Sequence, residues 1–316
     1  MKLLDPNEKV LDNAMPVWHD SLGEVTKNHP NAIALAADLS RSVCTEKVRL
    51  ETPNQYFNIG IAEQNMVGIA AGMALCGKTV YCTTIAPFAT MRACEQFRTD
   101  VCYMNLNVRM IGKYGGITNS GPTHAGLEDA GIIRGMANSC VVCPSDVGMI
   151  PKMFEASYHY QGPMYIRMGT GSNEGYIYDD DYELEIGKAI ITKEGKDATI
   201  ISFGMVLRNA VEAANQLKSE GIDVGIIDMH TLKPIDKEAV LNAARITKRI
   251  VTVEDHSIYN GLGSAVAEVL MESGVQTAFK RLGIPDIYPA YGDPLKLRES
   301  YGFGTKALIE TIKSMK

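Results

Sequence analysis

No apolar run in this 316-residue chain reaches the roughly 18–20 residues that a membrane-spanning helix needs. There is no long basic run either, and 31 Lys and Arg against 37 Asp and Glu leave a net charge of −6. Neither nucleic acid nor an anionic membrane surface is therefore expected as the main partner. The N-terminus, Met1-Lys2-Leu3-Leu4-Asp5-Pro6-Asn7-Glu8, turns acidic early and lacks the apolar core of a signal peptide, so a cytoplasmic location is the expectation. The seven cysteines are an odd count scattered through apolar segments, which argues against a secreted disulfide framework. Cys140-Val141-Val142-Cys143 has redox or metal spacing, but no second CxxC accompanies it. Flanked by valines and Pro144, it reads as the end of a buried strand carrying structural thiols. Gly261-Leu262-Gly263-Ser264 lacks the third glycine of a nucleotide loop and reads as a helix-entry turn. No repeat at solenoid periods is present.

What is present is a soluble globular profile, 46% apolar and 22% charged, long enough for two ordinary domains. Sixteen dispersed methionines read as core filler. After an amphipathic segment at 13–27, strands are expected at 31–38, 56–59, 78–84, 108–112, 140–143 and 163–167. Helices are expected at 89–101, 127–137 and 147–159, besides the one that begins at Glu63. Such alternation implies a parallel sheet covered on both faces, with ligands at loops beyond the carboxyl ends of its strands. Asp38, residues 84–88 and the Gly-rich stretch 115–124 all fall at such ends. Residues 171–185, with Asp179-Asp180-Asp181, change character and read as a linker. A second unit follows from Ile186, with strands expected at 198–203, 223–229 and 249–254 and helices at 207–219, 236–244 and 264–273. The fold class is α/β: two α/β domains with mainly parallel sheets, at 1–170 and 186–316.

Glu63 opens an apolar, small-residue segment, with Ile59, Ile61, Ala62, Met66 and Val67 around it. A carboxylate there is expected to be poorly solvated, the setting in which carboxyl groups enter proton transfer. Local chemistry is equally satisfied by a helix-start glutamate facing the positive end of the helix dipole. Order and spacing along the chain separate the two readings. Gly60-Ile61-Ala62-Glu63-Gln64-Asn65 is followed by Thr84-Ile85-Ala86-Pro87-Phe88 with Arg92, then by Gly121-Pro122-Thr123-His124, and finally by Val253-Glu254-Asp255-His256 with Gly261-Leu262-Gly263. Together these blocks resemble the pyrimidine-binding half of transketolase, a thiamine diphosphate enzyme. Met229-His230-Thr231-Leu232-Lys233-Pro234-Ile235-Asp236 is similar to the C-terminal domain of the same family. In a full-length transketolase this material forms the second half of a longer chain. The sequence thus resembles the C-terminal subunit of a split transketolase, a pyrimidine-binding domain at 1–170 and a C-terminal-like domain at 186–316.

The resemblance implies transfer of a two-carbon ketol unit from a ketose donor to an aldose acceptor. It makes Glu63 the carboxyl group that hydrogen-bonds the pyrimidine ring nitrogen and pushes that ring towards its imino tautomer. Phe88 is then the stacking aromatic, and Ile85 stands where the family often has a second one. Arg92 or Gln96 lines the same pocket. Asp38 resembles an acid near the cofactor, although a strand-end cap accounts for it equally well. His124 is implied to orient the donor's carbonyl or hydroxyl and to shuttle a proton. His19, His29, His159 and His230 lack such a setting, and His256 reads as structural or as part of a subunit interface. The substrate end departs from the family pattern. Asn119-Ser120 replaces an acid that reads a sugar hydroxyl, while Met168-Gly169-Thr170 and the region of Met15 replace two phosphate-gripping arginines. Ser42 remains, with Arg41 beside it as a substitute cation. An unusual ketose or anionic headgroup is therefore expected.

No Gly-Asp-Gly…Asn motif for the divalent ion occurs in the chain. The resemblance accordingly implies a partner, an N-terminal transketolase subunit that holds the diphosphate and the Mg2+ or Ca2+, in an α2β2 assembly, with no activity from this chain alone. Three alternatives stay open: the beta subunit of a 2-oxo acid dehydrogenase, a fragment similar to deoxyxylulose-phosphate synthase, and a non-catalytic interaction subunit.

Overall fold

The structure, a computed structural model, describes residues 2–315 except Asp12 and Asp180, so one acid of the expected linker lies outside the described residues, as does Met1. Among the described residues, two large sheets and one two-stranded sheet carry the chain. The first has seven strands in the order Thr231–Lys233, Cys140–Val142, Met164–Arg167, Val108–Lys113, Thr79–Ile85, Ala32–Ala36 and Tyr56–Asn58. All but Thr231–Lys233 run parallel. Ala32–Ala36, Thr79–Ile85 and Val108–Lys113 are buried at every position. Helices on both faces cause that burial and leave these strands near-continuous rather than alternating in polarity. The second sheet has five strands in the order Ala278–Ile284, Arg249–Ser257, Ala198–Phe203, Val224–Asp228 and Ile190–Lys193, with only the last antiparallel.

Several elements differ from the sequence expectation, each for a physical reason. The helix expected at 89–101 is broken into the π-helical turns Phe88–Arg92 and Phe97–Cys102 around a short α segment, Cys94–Gln96. Insertions of this kind do not alter apolar periodicity enough to be read from it, yet they re-aim side chains. The helix expected at 127–137 shrinks to Asp129–Arg134. Its final carbonyls are taken by side chains: Lys233 Nζ donates to Arg134 O at 3.0 Å, and Ser139 Oγ to Ile133 O at 2.7 Å. Residues 171–185 contain a short strand, Glu174–Gly175, paired antiparallel with Val10–Leu11. The stretch around Thr231 belongs in sequence to the second unit, but its strand Thr231–Lys233 closes the edge of the first sheet. The two units are interlocked.

A buried acid reinforces the seam. Asp228, at the end of Val224–Asp228, is fully buried and accepts hydrogen bonds from Ser145 of the first unit and Tyr178 of the connecting segment. Burial pushes this carboxyl up to about 7, against the opposing effect of those two donors. A folded-state value raised above the unfolded one contributes stability that is present at acid pH and is lost as the pH rises to about 7. Asp228→Asn cannot ionise. Its stability relative to wild type is expected to increase between pH 4 and pH 7 in urea denaturation, and a difference that stays flat with pH would refute the assignment.

Candidate active site

The residues singled out in sequence gather at the carboxyl ends of the first sheet's strands. Tyr56–Asn58 leads through Gly60, at φ 78°, into the helix Glu63–Leu75, which presents Glu63 at its first position. The Glu63 side chain is 2% exposed. Its Oε1 accepts from Thr84 Oγ1 at 3.3 Å and its Oε2 from Arg92 Nη1 at 2.8 Å. Thr84 is the penultimate residue of Thr79–Ile85, and Ile85, itself 5% exposed, ends that strand. The π-turn that follows sets Phe88 and Arg92 on one side, so that the guanidinium lies 4.0 Å from the centroid of the Phe88 ring. Cation and ring attract through the ring quadrupole. Arg92 thus touches both the buried acid and the aromatic shelf.

His124 also packs against Phe88, edge to face, with ring centroids 5.5 Å apart and an interplanar angle of 63°. Tyr114 lies 6.3 Å from the same imidazole. His124 is half-buried, and its Nδ1 shares a 2.9 Å hydrogen bond with Thr123 Oγ1. Tyr114 follows the strand Val108–Lys113 at φ 66°, a left-handed conformation rarely adopted outside glycine. Lys113, 6% exposed, passes 4.7 Å from the Tyr114 ring and donates to Ser42 O at 2.9 Å. Sequence reasoning passed over Lys113 and Tyr114. A cation and an aromatic at a strand's carboxyl end were the available signal.

Asp38 is the second non-glycine residue in the left-handed region at this edge, at φ 58°. Asn58, also missed in sequence, clips it in place: Asn58 Nδ2 donates to Asp38 Oδ1, the Asp38 N–H donates to Asn58 Oδ1, and the Gly60 N–H donates to the same oxygen at 2.9 Å. Asp38 is therefore tied to the turn that delivers Glu63. Arg41 behaves differently. It is 84% exposed and pairs with Glu46 at 3.4 Å, leaving Lys113 as the cation that reaches the Ser42 backbone. His19 also joins this end. Its Nδ1 accepts from the Glu46 N–H, so the Nε2 facing Arg41 O carries the proton. Burial lowers the pKa of this imidazole. Arg167 turns away from Ser42 and Lys113 in its hydrogen bonding: it is 2% exposed and held by Asp129, Gly126 O and Asp255 O.

The fourth sequence block lies behind the site. Glu254 accepts from the N–H groups of Leu262 and Gly263 at the start of Leu262–Ser273. A Cβ on Gly261 would fall 2.0 Å from Glu254 Oε2, which explains that glycine. His256 is wholly buried. Its Nδ1 donates to Ser257 O and its Nε2 accepts from the Gly131 N–H, a structural role. Cys140 and Cys143 are buried free thiols, each pushed up to about 12 by burial. Asp255 is the residue of this block that touches the His124 loop. Its Oδ1 accepts from the Ile117 N–H at 3.0 Å, and Gly116, at φ 104°, packs so closely that a Cβ would lie 2.5 Å from the Asp255 carboxyl carbon. Arg298 holds Asp255 Oδ2 through two donors, at 2.9 and 2.7 Å.

A doubly covered, mainly parallel sheet, a buried acid at a strand-to-helix turn, an aromatic shelf and a loop-borne histidine define a cofactor-dependent α/β enzyme subunit. The comparisons agree. Residues 16–173 match the pyrimidine binding domain of transketolase and residues 187–308 match the transketolase C-terminal domain. The chain belongs to the transketolase family, with the domain pair found in its split members. A putative transketolase C-terminal section from Methanocaldococcus jannaschii is 38% identical, over 93% of each chain. One of the subunits of the apulose-4-phosphate transketolase of Actinobacillus succinogenes is 34% identical, over 92% of this chain and 94% of its own. A solved split-gene transketolase, described as an inactive beta4 tetramer, superposes with a TM-score of 0.86 at 36% identity, over 95% of this chain and 97% of its own. Membership implies dependence on thiamine diphosphate.

Asp255→Ala leaves Arg298 and the Ile117 N–H without their partner. Removing one member of a buried ion pair costs about 3–5 kcal/mol. A loss of that order in urea denaturation is expected, together with faster hydrogen exchange at the Ile117 amide.

Proposed function

We propose that this chain is the beta, C-terminal subunit of a two-component transketolase that moves a two-carbon ketol unit from a ketose donor to an aldose acceptor. Residues 1–170 form its pyrimidine-binding domain, residues 171–185 a linker, and residues 186–316 the C-terminal-like domain. One observation carries the reading: an unbroken series of contacts from Glu63 through Arg92, Phe88, His124, Tyr114 and Lys113 to Ser42. It joins an acid suited to a cofactor with a cation suited to a substrate.

The residues present fit the pyrimidine end of thiamine diphosphate, because a buried carboxylate and an aromatic face lie within reach of one guanidinium. The sequence offers no Gly-Asp-Gly…Asn motif for the diphosphate and its Mg2+ or Ca2+. That end is assigned to an N-terminal partner subunit in an α2β2 assembly. The inactive beta4 tetramer of a related split-gene enzyme supports a site left incomplete in beta chains alone. When bound, the cofactor supplies the nucleophilic carbon that carries the two-carbon unit.

Glu63 holds a proton at the pyrimidine ring nitrogen, in a setting from which burial excludes water. Phe88 gives the ring its face, Ile85 an aliphatic wall, and Arg92 a counter-charge on Glu63 Oε2. Asp38, pinned by Asn58, closes the cofactor side. His124 orients the donor oxygen beside the reacting carbon and moves its proton. Lys113, with Ser42 and Arg41, receives the far end of the sugar. That end supports an unusual ketose donor, and the apulose-4-phosphate enzyme among the relatives supports such divergence.

Co-expression with the N-terminal subunit tests this assignment. Glu63→Gln is expected to lower ketol transfer by about 10²–10⁴-fold while leaving assembly unchanged on size exclusion. Beta alone should show no turnover. Wild-type rate from the Gln variant would overturn the role of Glu63. Lys113→Met should raise KM for a phosphorylated donor more than it lowers kcat. Equal or better use of xylulose 5-phosphate than of other ketoses would refute the unusual-donor reading.

A further inference from the structure

A second group of ligating side chains occupies the opposite edge of the first sheet, at the amino ends of its strands. His29 caps the helix Met15–Asn28 just ahead of Ala32–Ala36, and Glu155 and His159 lie one turn apart at the end of the helix Met149–His159. His29 Nε2 is 3.3 Å from Glu155 Oε1, and His159 Nε2 is 3.0 Å from the same oxygen. The three ligand atoms all fall within 4.8 Å of one another. The His29 ring is held in advance. It stacks on Tyr158 with centroids 3.8 Å apart at 14°, meets His159 edge-on at 5.6 Å, and is only 20% exposed.

We propose that His29, Glu155 and His159 form a binding site for a divalent transition metal, zinc by the chemistry of the donors. Metal–ligand bonds of about 2.0–2.2 Å at tetrahedral angles place neighbouring ligand atoms roughly 3.3–3.5 Å apart. The two nitrogen–oxygen spacings already sit at or just below that range. The third edge, between the two imidazoles, spans no more than 4.8 Å, and His159, 65% exposed, has room to swing. Two imidazoles and one carboxylate suit zinc, whereas magnesium and calcium take oxygen donors. The fourth position falls to solvent. The Glu155–His159 spacing of i and i+4 puts both ligands on one helix face, and His29 adds a ligand from a segment 126 residues away. A bound ion would therefore clamp the ends of two helices that already pack together. The site is separate from the Glu63 cluster, so its test does not depend on the function proposed above.

The test uses the untagged full chain, stripped with a chelator and titrated with Co2+ and then Zn2+. The expected result is a visible absorption band of tetrahedral cobalt saturating at one ion per chain, displaced by zinc, with zinc raising the thermal midpoint. His29→Ala and His159→Ala should each weaken binding by more than the roughly 10–100-fold that loss of an outer-shell partner costs. Metal-free thermal midpoints of the two variants establish that they fold. No cobalt band in the folded wild-type chain, or a band that survives both substitutions, overturns the proposal; the group is then only a hydrogen-bonded cluster of one glutamate and two histidines.

Discussion

The guanidinium of Arg167 is the constraint on which the placement of the site depends. It is buried beneath the first sheet's carboxyl edge, where an unpaired charge would cost several kcal/mol. Asp129 takes Nε through both carboxylate oxygens, while Nη2 donates to the carbonyls of Gly126 and Asp255. These three partners come from the short helix Asp129–Arg134, the neck of the glycine loop and the central region of the second sheet. The charge is satisfied only when all three are in place. The polar network thereby makes the position of the His124 loop conditional on the docking of the second unit. Asp255 strengthens the condition, because its side chain holds the loop while its carbonyl holds Arg167.

That dependence also explains the glycines. The neck of the loop closes on itself, with the Gly116 N–H donating to Gly126 O at 2.7 Å and the Gly126 N–H to Tyr114 O at 2.8 Å. Gly116 then runs against Asp255 with no room for a Cβ. A side chain there would push apart the two units that the Arg167 network draws together. The left-handed residues Tyr114 and Asp38 begin the loops that line the site. Backbone held in sparsely populated conformations persists where its surroundings over-determine it. Here the Tyr114 carbonyl and the Asn58 clip do so.

The parts of the fold legible in sequence were those with a local cause. Buried parallel strands are near-continuous apolar runs, and Ala32–Ala36, Thr79–Ile85 and Val108–Lys113 could be placed within a residue or two. Glu63, Phe88 and His124 were singled out by the order and spacing of their blocks, and the fold brings them together through Arg92 and Phe88. The strand Thr231–Lys233 joins the first sheet by pairing with residues about 90 positions earlier, and no periodicity reports that. Lys113 reads in sequence as an ordinary strand-end charge. Its importance comes from the fold, which buries its stem and turns its ammonium to Ser42, 71 residues away. Arg41, the neighbour of Ser42, also pairs with Glu46 five residues on, a contact that the sequence alone does not report.

The two ends of the proposed site rest on different supports. Thr84, Phe88 and Arg92, which surround Glu63, fall within residues 63–92 and belong to or follow the strand Thr79–Ile85, with only Ala32–Ala36 between it and the strand that leads to Glu63. His124 rides instead on a loop braced across the seam by Asp255 and Arg298. Side chains at the substrate end can therefore be exchanged, or their loop lengthened, without disturbing the hydrogen bonds that orient the acid. The reverse does not hold, because Phe88 is the contact through which His124 meets the cofactor side. Such an arrangement lets the His124 end of the proposed site vary while Glu63 keeps its place. It offers a physical reason why the Glu63 block resembles the family pattern while Asn119-Ser120 and Met168-Gly169-Thr170 depart from it.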